Sequence, residues 1–182
     1  MKLIWSAALY TALALSANAG PAIEDLREGS LKKLVFAETP KIVTGVAFET
    51  EDGTEISLDD FRGQYALVNF WATWCAPCRK EMPSLDALQA EFGGEAFQVV
   101  TIATGRQSPA AIKRFFDEEG IENLPQHRDP RQALASRMGI LGLPITVLID
   151  PEGREIARLR GDADWHSDSA RAIISALIKG DS

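Results

Sequence analysis

The only two cysteines of this 182-residue chain stand three positions apart, in Trp74-Cys75-Ala76-Pro77-Cys78. Two thiols at that spacing can close a small disulfide ring and reopen it, which is two-electron exchange chemistry. The thiolate is the nucleophile in such exchange, and a Cys-x-x-Cys motif draws the thiol pKa from about 8.5 toward 7 or below. Two blander readings compete. Structural zinc takes four ligands, usually Cys and His, and beyond this pair the chain offers only His127 and His166, which are not spaced as a ligand pair. A static bridge would close a loop too short to constrain the unfolded chain much. A redox-active dithiol is the stronger reading.

Such a dithiol needs an element that favours the thiolate. Ala66-Leu67-Val68-Asn69-Phe70-Trp71 is a short apolar run of the kind that forms a buried strand. Pro77-Cys78-Arg79-Lys80-Glu81-Met82 reads as the opening of a helix, with proline in the first turn. Cys75 therefore falls where a strand hands over to a helix N-terminus, where free N–H groups and the helix dipole favour negative charge. Beyond this junction the chain alternates: strands over 65–71, 97–103, 145–150 and 155–160, and helices over 76–92, 108–119, 131–138 and 167–179. Ser108-Pro109 supplies a helix start. Asp150-Pro151-Glu152-Gly153 turns between the last two strands, which are therefore antiparallel. Upstream, two short strands flank Glu51-Asp52-Gly53-Thr54 as a hairpin. Before them, Ile23 to Phe36 fits one amphipathic helix, broken by Thr39-Pro40. The pattern predicts an α/β fold: a central mixed β-sheet flanked by helices, with an N-terminal β-hairpin extension.

Composition narrows the function classes. The chain is 46% hydrophobic and 25% charged with a net charge of −7, an ordinary globular balance that argues against nucleic-acid binding, which wants a basic footprint. Residues 1–19 form a separate object. Lys2 precedes an uncharged stretch ending in Ala17-Asn18-Ala19, the layout of a secretory signal peptide, with a membrane anchor as the alternative. Both imply export. In a bacterium that means the periplasm, an oxidising compartment. The expected organisation is a signal peptide or anchor over 1–19, an N-terminal extension over 20–44 and one domain over 45–182.

Two motifs carry a family resemblance. The first runs from Val68 through Trp74-Cys75-Ala76-Pro77-Cys78 to Pro83; the second is Gly142-Leu143-Pro144-Ile145-Thr146-Val147-Leu148-Ile149-Asp150-Pro151-Glu152-Gly153. In this order they resemble the thioredoxin fold, and within it the TlpA-like thiol:disulfide reductases that include ResA- and CcmG-type proteins. The Gly161-to-Trp165 stretch resembles the TlpA group in particular. The resemblance extends from about Gly45 to Ile178.

The resemblance implies roles. Cys75 attacks a substrate disulfide, Cys78 resolves the mixed disulfide, and Pro144 is a cis-proline beside the dithiol, leaving Leu143 to pair with an extended substrate. Trp74 joins Leu143 and Pro144 on the substrate-binding surface. Pro83 kinks the first helix. Asn69 departs from the pattern: thioredoxins carry a buried Asp there, and Asn cannot titrate. Glu81, three residues after Cys78, matches a ResA glutamate and is the candidate to replace that carboxylate; a solvent-facing helix charge is the competing reading. Trp71 reads as core, Arg79 and Lys80 as solvated, and His127 and His166 as surface residues without chemistry. The resemblance implies no cofactor beyond the Cys75–Cys78 disulfide. Its implied partners are protein disulfides, such as the cysteines of a copper chaperone, an oxidase or apocytochrome c, together with a DsbD/CcdA-type membrane electron donor. A disulfide-forming oxidase and a Cu(I)-binding assembly chaperone remain the rival functions.

Overall fold

The structure is a computed structural model and describes residues 22–43 and 45–180. The signal-peptide reading of residues 1–19 lies outside the described residues. Eight strands, β1 (Val35–Ile42), β2 (Phe48–Glu49), β3 (Glu55–Ile56), β4 (Tyr65–Trp71), β5 (Phe97–Thr104), β6 (His127–Asp129), β7 (Ile145–Ile149) and β8 (Arg154–Arg160), form one sheet in the order β1-β8-β7-β4-β5-β6-β2-β3. The sheet is mixed. β4, β5 and β6 run parallel, while β7 is antiparallel to β4, and β8 to β7. Among the described residues four α-helices complete the fold: α1 (Ala76–Phe92), α2 (Pro109–Glu119), α3 (Ala133–Arg137) and α4 (Asp168–Lys179).

Strand alternation sends the apolar side chains of β4 to both faces. Leu67 and Trp71 join the core built with α1, α2 and α4. Ala66, Val68 and Phe70 join the core under α3, which also holds Phe48 and Leu58. Trp71 packs at 5.2 Å and 5.8 Å from the rings of Phe115 and Phe116 in α2. A strand buried on both faces reads as continuously apolar, which is why this region is so visible in the sequence.

Three features depart from the sequence reading. The stretch 23–36 is not one helix but two 3-10 turns, Ile23–Leu26 and Gly29–Lys33, followed by β1. Gly29 has φ of 51°, which interrupts α-helical geometry. The apolar residues Ile23, Leu31 and Leu34 instead anchor this strap in the main core. Pro40 sits inside edge strand β1, where its register against β8 is irregular between Phe36 and Lys41. The helix expected at 131–138 contracts to α3, preceded by Gln132 at φ of 55°. There the buried Asp129 side chain accepts from the N–H groups of Ala133 and Ala135, both at 2.9 Å, and so ends β6 and starts α3.

Candidate active site

β4 delivers the dithiol. Its last residue, Trp71, is followed by a tight loop in which Cys75 N–H donates to the Ala72 carbonyl at 3.0 Å. Cys75 is the N-cap of α1, and its Sγ accepts from the Cys78 N–H at 3.3 Å. Cys75 and Cys78 form a disulfide with an S–S distance of 2.03 Å and a Cα–Cα distance of 5.3 Å. Cys78 is fully buried and Cys75 is 5% exposed. Helix N-terminal N–H groups and the α1 dipole therefore face the more accessible sulfur. Gln107 braces this loop: its Oε1 accepts from Thr73 N–H at 2.6 Å and its Nε2 donates to the Thr104 carbonyl at 3.0 Å.

The second motif arrives from the neighbouring strand. Phe70 of β4 lies opposite Ile145 of β7, so the Leu143–Pro144 turn leaves the sheet at the same end as the cysteine loop. The Leu143–Pro144 bond is cis. Pro144 is buried and Leu143 half-buried. Trp74 and Leu141 are exposed, at 74% and 97%.

Glu81 is not solvent-facing. It is 2% exposed, and its carboxylate is held on three sides. Oε1 accepts from Asn69 Nδ2 at 2.8 Å, and Oε2 accepts from the Ala163 N–H at 3.1 Å and the Trp165 indole N–H at 3.0 Å. Burial pushes the Glu81 pKa up to about 7, against the lowering pull of these three donors. Asn69 also donates to Thr146 Oγ1 at 2.9 Å. Asn69 of β4 is paired in register with Thr101 of β5 and Thr146 of β7, so the three form one polar row across an otherwise apolar sheet face. The departure at Asn69 and the glutamate on α1 are thus one device.

The remaining candidates go elsewhere. Arg79 stacks over Phe115, 5.1 Å from the ring centroid, and pairs with Glu119 at 3.4 Å. Lys80 pairs with Asp162 at 3.2 Å. His166 contacts Glu91 at 2.8 Å. His127 is a strand residue, not a surface one: it packs edge-on against Phe48 and Phe61, and burial lowers its pKa to about 4. The sequence reading missed Gln107, Thr146 and the clamp of Ala163 and Trp165 on Glu81. Only the last carried a signal, in the Gly161-to-Trp165 stretch.

Comparisons with known proteins agree with this geometry. Residues 40–156 match the AhpC/TSA family. A thiol-disulfide oxidoreductase ResA of Bacillus subtilis is 30% identical over 138 residues, covering 76% of this chain and 70% of that protein. The crystal structure of a DsbE-type thiol:disulfide interchange protein from Chlorobium tepidum superposes with a TM-score of 0.67 at 26% identity, covering 78% of this chain and 98% of that one. An exposed lipoprotein thioredoxin of Streptococcus pneumoniae superposes with a TM-score of 0.60 at 27% identity, over 75% and 99% of the two chains. The chain belongs to the AhpC/TSA family and, within the thioredoxin superfamily, is a thiol:disulfide oxidoreductase of the TlpA, ResA and CcmG type.

Proposed function

We propose that this protein is an exported reductase of protein disulfides, working in the periplasm on cysteines that must be free before copper or haem is attached. The observation that carries the reading is the Cys75–Cys78 pair at the N-terminus of α1, Cys75 slightly exposed and Cys78 fully buried. In the reduced protein Cys75 thiolate attacks one sulfur of a substrate disulfide, and the other substrate sulfur leaves as thiolate. Cys78 then loses its proton and attacks the Cys75 sulfur. The second substrate thiolate departs, and the enzyme is left in the oxidised state described here. Glu81, one helical turn beyond Cys78 and titrating near neutral pH, is the group suited to take the Cys78 proton and return it when the dithiol is regenerated. Trp74 and the Leu143–Pro144 turn form the surface against which an extended substrate lies.

An oxidising compartment cannot recharge the dithiol, so a membrane electron donor of the DsbD/CcdA type completes the cycle. Export is supported by the leader-like layout of residues 1–19 and by the surface location of the pneumococcal relative. The test is the equilibrium reduction potential of the pair. A value near the roughly −270 mV of thioredoxin supports the reductase; one near the roughly −120 mV of a strong periplasmic oxidant makes the protein an oxidase instead.

A further inference from the structure

A solvent-open cleft of about 380 Å³ reaches Glu81 from outside the dithiol surface. It is lined by Ser30 and Lys33 of the N-terminal strap, by Lys80 and Ser84 of α1, and by the loop residues Asp162 to Asp164. None of Trp74, Cys75, Leu143 and Pro144 lines it. At its mouth the Asp162 carboxylate takes the Lys80 ammonium, and the Asp162 carbonyl takes the Lys33 ammonium. The Lys80 contact holds the Asp162 carboxyl below its usual range, so it is ionised at neutral pH. The strap also holds the loop through Ser30, whose Oγ accepts from the Asp164 N–H at 3.0 Å. That loop supplies two of the three donors that clamp Glu81. A chain of contacts therefore leads from the strap, through exposed charges, to a buried carboxylate.

We propose that this cleft is a second, solvent-facing control site for the dithiol, in which Lys33, Lys80 and Asp162 are positioning residues that set the charge state of Glu81. The proposal rests on the proton-transfer reading of Glu81 given above. The groups facing the carboxylate are Asn69 from β4, the Ala163 N–H and Trp165 indole from the loop, and the charge of Asp162, which disfavours ionisation of Glu81. Lys33 and Lys80 offset that charge. Neutralising Asp162 must therefore ease ionisation of Glu81, and neutralising either lysine must hinder it. Opposite signs from residues lining one cleft are an electrostatic signature that loosening of the loop would not produce.

The Trp165 indole N–H donates to Glu81 Oε2, so its nitrogen and proton NMR shifts report the protonation of that carboxylate directly. The experiment follows this resonance from pH 5 to 9 in the full-length oxidised protein, assigned by its loss in Trp165→Phe. A midpoint near 7 is expected. Asp162→Asn should lower it, and Lys33→Gln and Lys80→Gln should raise it, each by about half a pH unit, as partly screened charges do. Asp162→Glu should restore the original midpoint. In 1 M salt, where the Debye length is about 3 Å, the differences should collapse. The break in the pH dependence of the reduction potential should move with each midpoint. Midpoints that stay put, shift in one common direction, or keep their differences in 1 M salt would overturn the control site while leaving the role of Glu81 intact. An indole resonance that shows no titration between pH 5 and 9 would remove that role, and the control site with it.

Discussion

Glu81 combines two demands that usually conflict. A carboxylate under a dithiol must be near enough to hold the proton that the resolving sulfur gives up, yet an ionised carboxylate there makes thiolate costly. A pKa of about 7 suits the proposed role as a compromise: a group half-charged at neutral pH can pass a proton in either direction at little cost. Glu81→Gln removes the titration but keeps the shape. Its reduction potential should then vary with pH without a break near 7, and disulfide exchange should slow on the order of 100-fold. Stopped-flow exchange with a model disulfide checks the second point. The two sulfurs are separable by trapping. Cys78→Ser should accumulate a mixed disulfide through Cys75, visible on a non-reducing gel, whereas Cys75→Ser should accumulate none; the reverse pattern would exchange the roles. At this scale the cysteines are plain in the sequence because chemistry demands both at one spacing. Glu81 is only half legible, since Arg79-Lys80-Glu81 looks like a solvated charge run. What buries it is distant in sequence: Asn69 is 12 residues away, Ala163 is 82 and Trp165 is 84.

Elements divide by how local their causes are. β4, α1, β5, α2, β7, β8 and α4 follow from apolar runs and from caps such as Ser108 and Ser167, whose side chains accept from Ala111 and Ala170 N–H. The N-terminal turns and β1 do not, because their apolar residues serve tertiary anchoring rather than one helical face. β6 is likewise hidden, being short, and α3 is shorter than the helix the sequence predicts over 131–138; Asp129 marks where the one ends and the other starts. Asp129 is 2% exposed and satisfies two backbone N–H groups at once. Asp129→Ala leaves both unpaired and should cost about 2 kcal/mol in a urea melt. Because α3 covers the sheet face away from α1, the reduction potential of that variant should be unchanged.

For the whole molecule, two buried groups tilt stability in opposite directions with pH. Glu81 has a folded pKa of about 7 against 4.5 unperturbed. Its stabilising contribution is complete below 4.5 and is lost as pH rises through 7, for about 3 kcal/mol. His127 has a folded pKa of about 4 against 6.5 unperturbed. Its folded form resists protonation, so stability falls as pH drops from 6.5 through 4, by a similar amount. Between pH 4.5 and 6.5 the two slopes oppose each other. Denaturant melts of the oxidised protein should be nearly flat with pH there, while His127→Gln should lose stability with rising pH and Glu81→Gln with falling pH. The irregular edge strand bears on how such a molecule meets other chains. β1 carries Pro40, which has no N–H to offer, and the opposite edge, β3, is two residues long. Both margins are blunted as templates for another strand. Strand addition along the flanks is thereby disfavoured, so the proposed docking of an extended chain falls to the end of the sheet where the sulfurs lie.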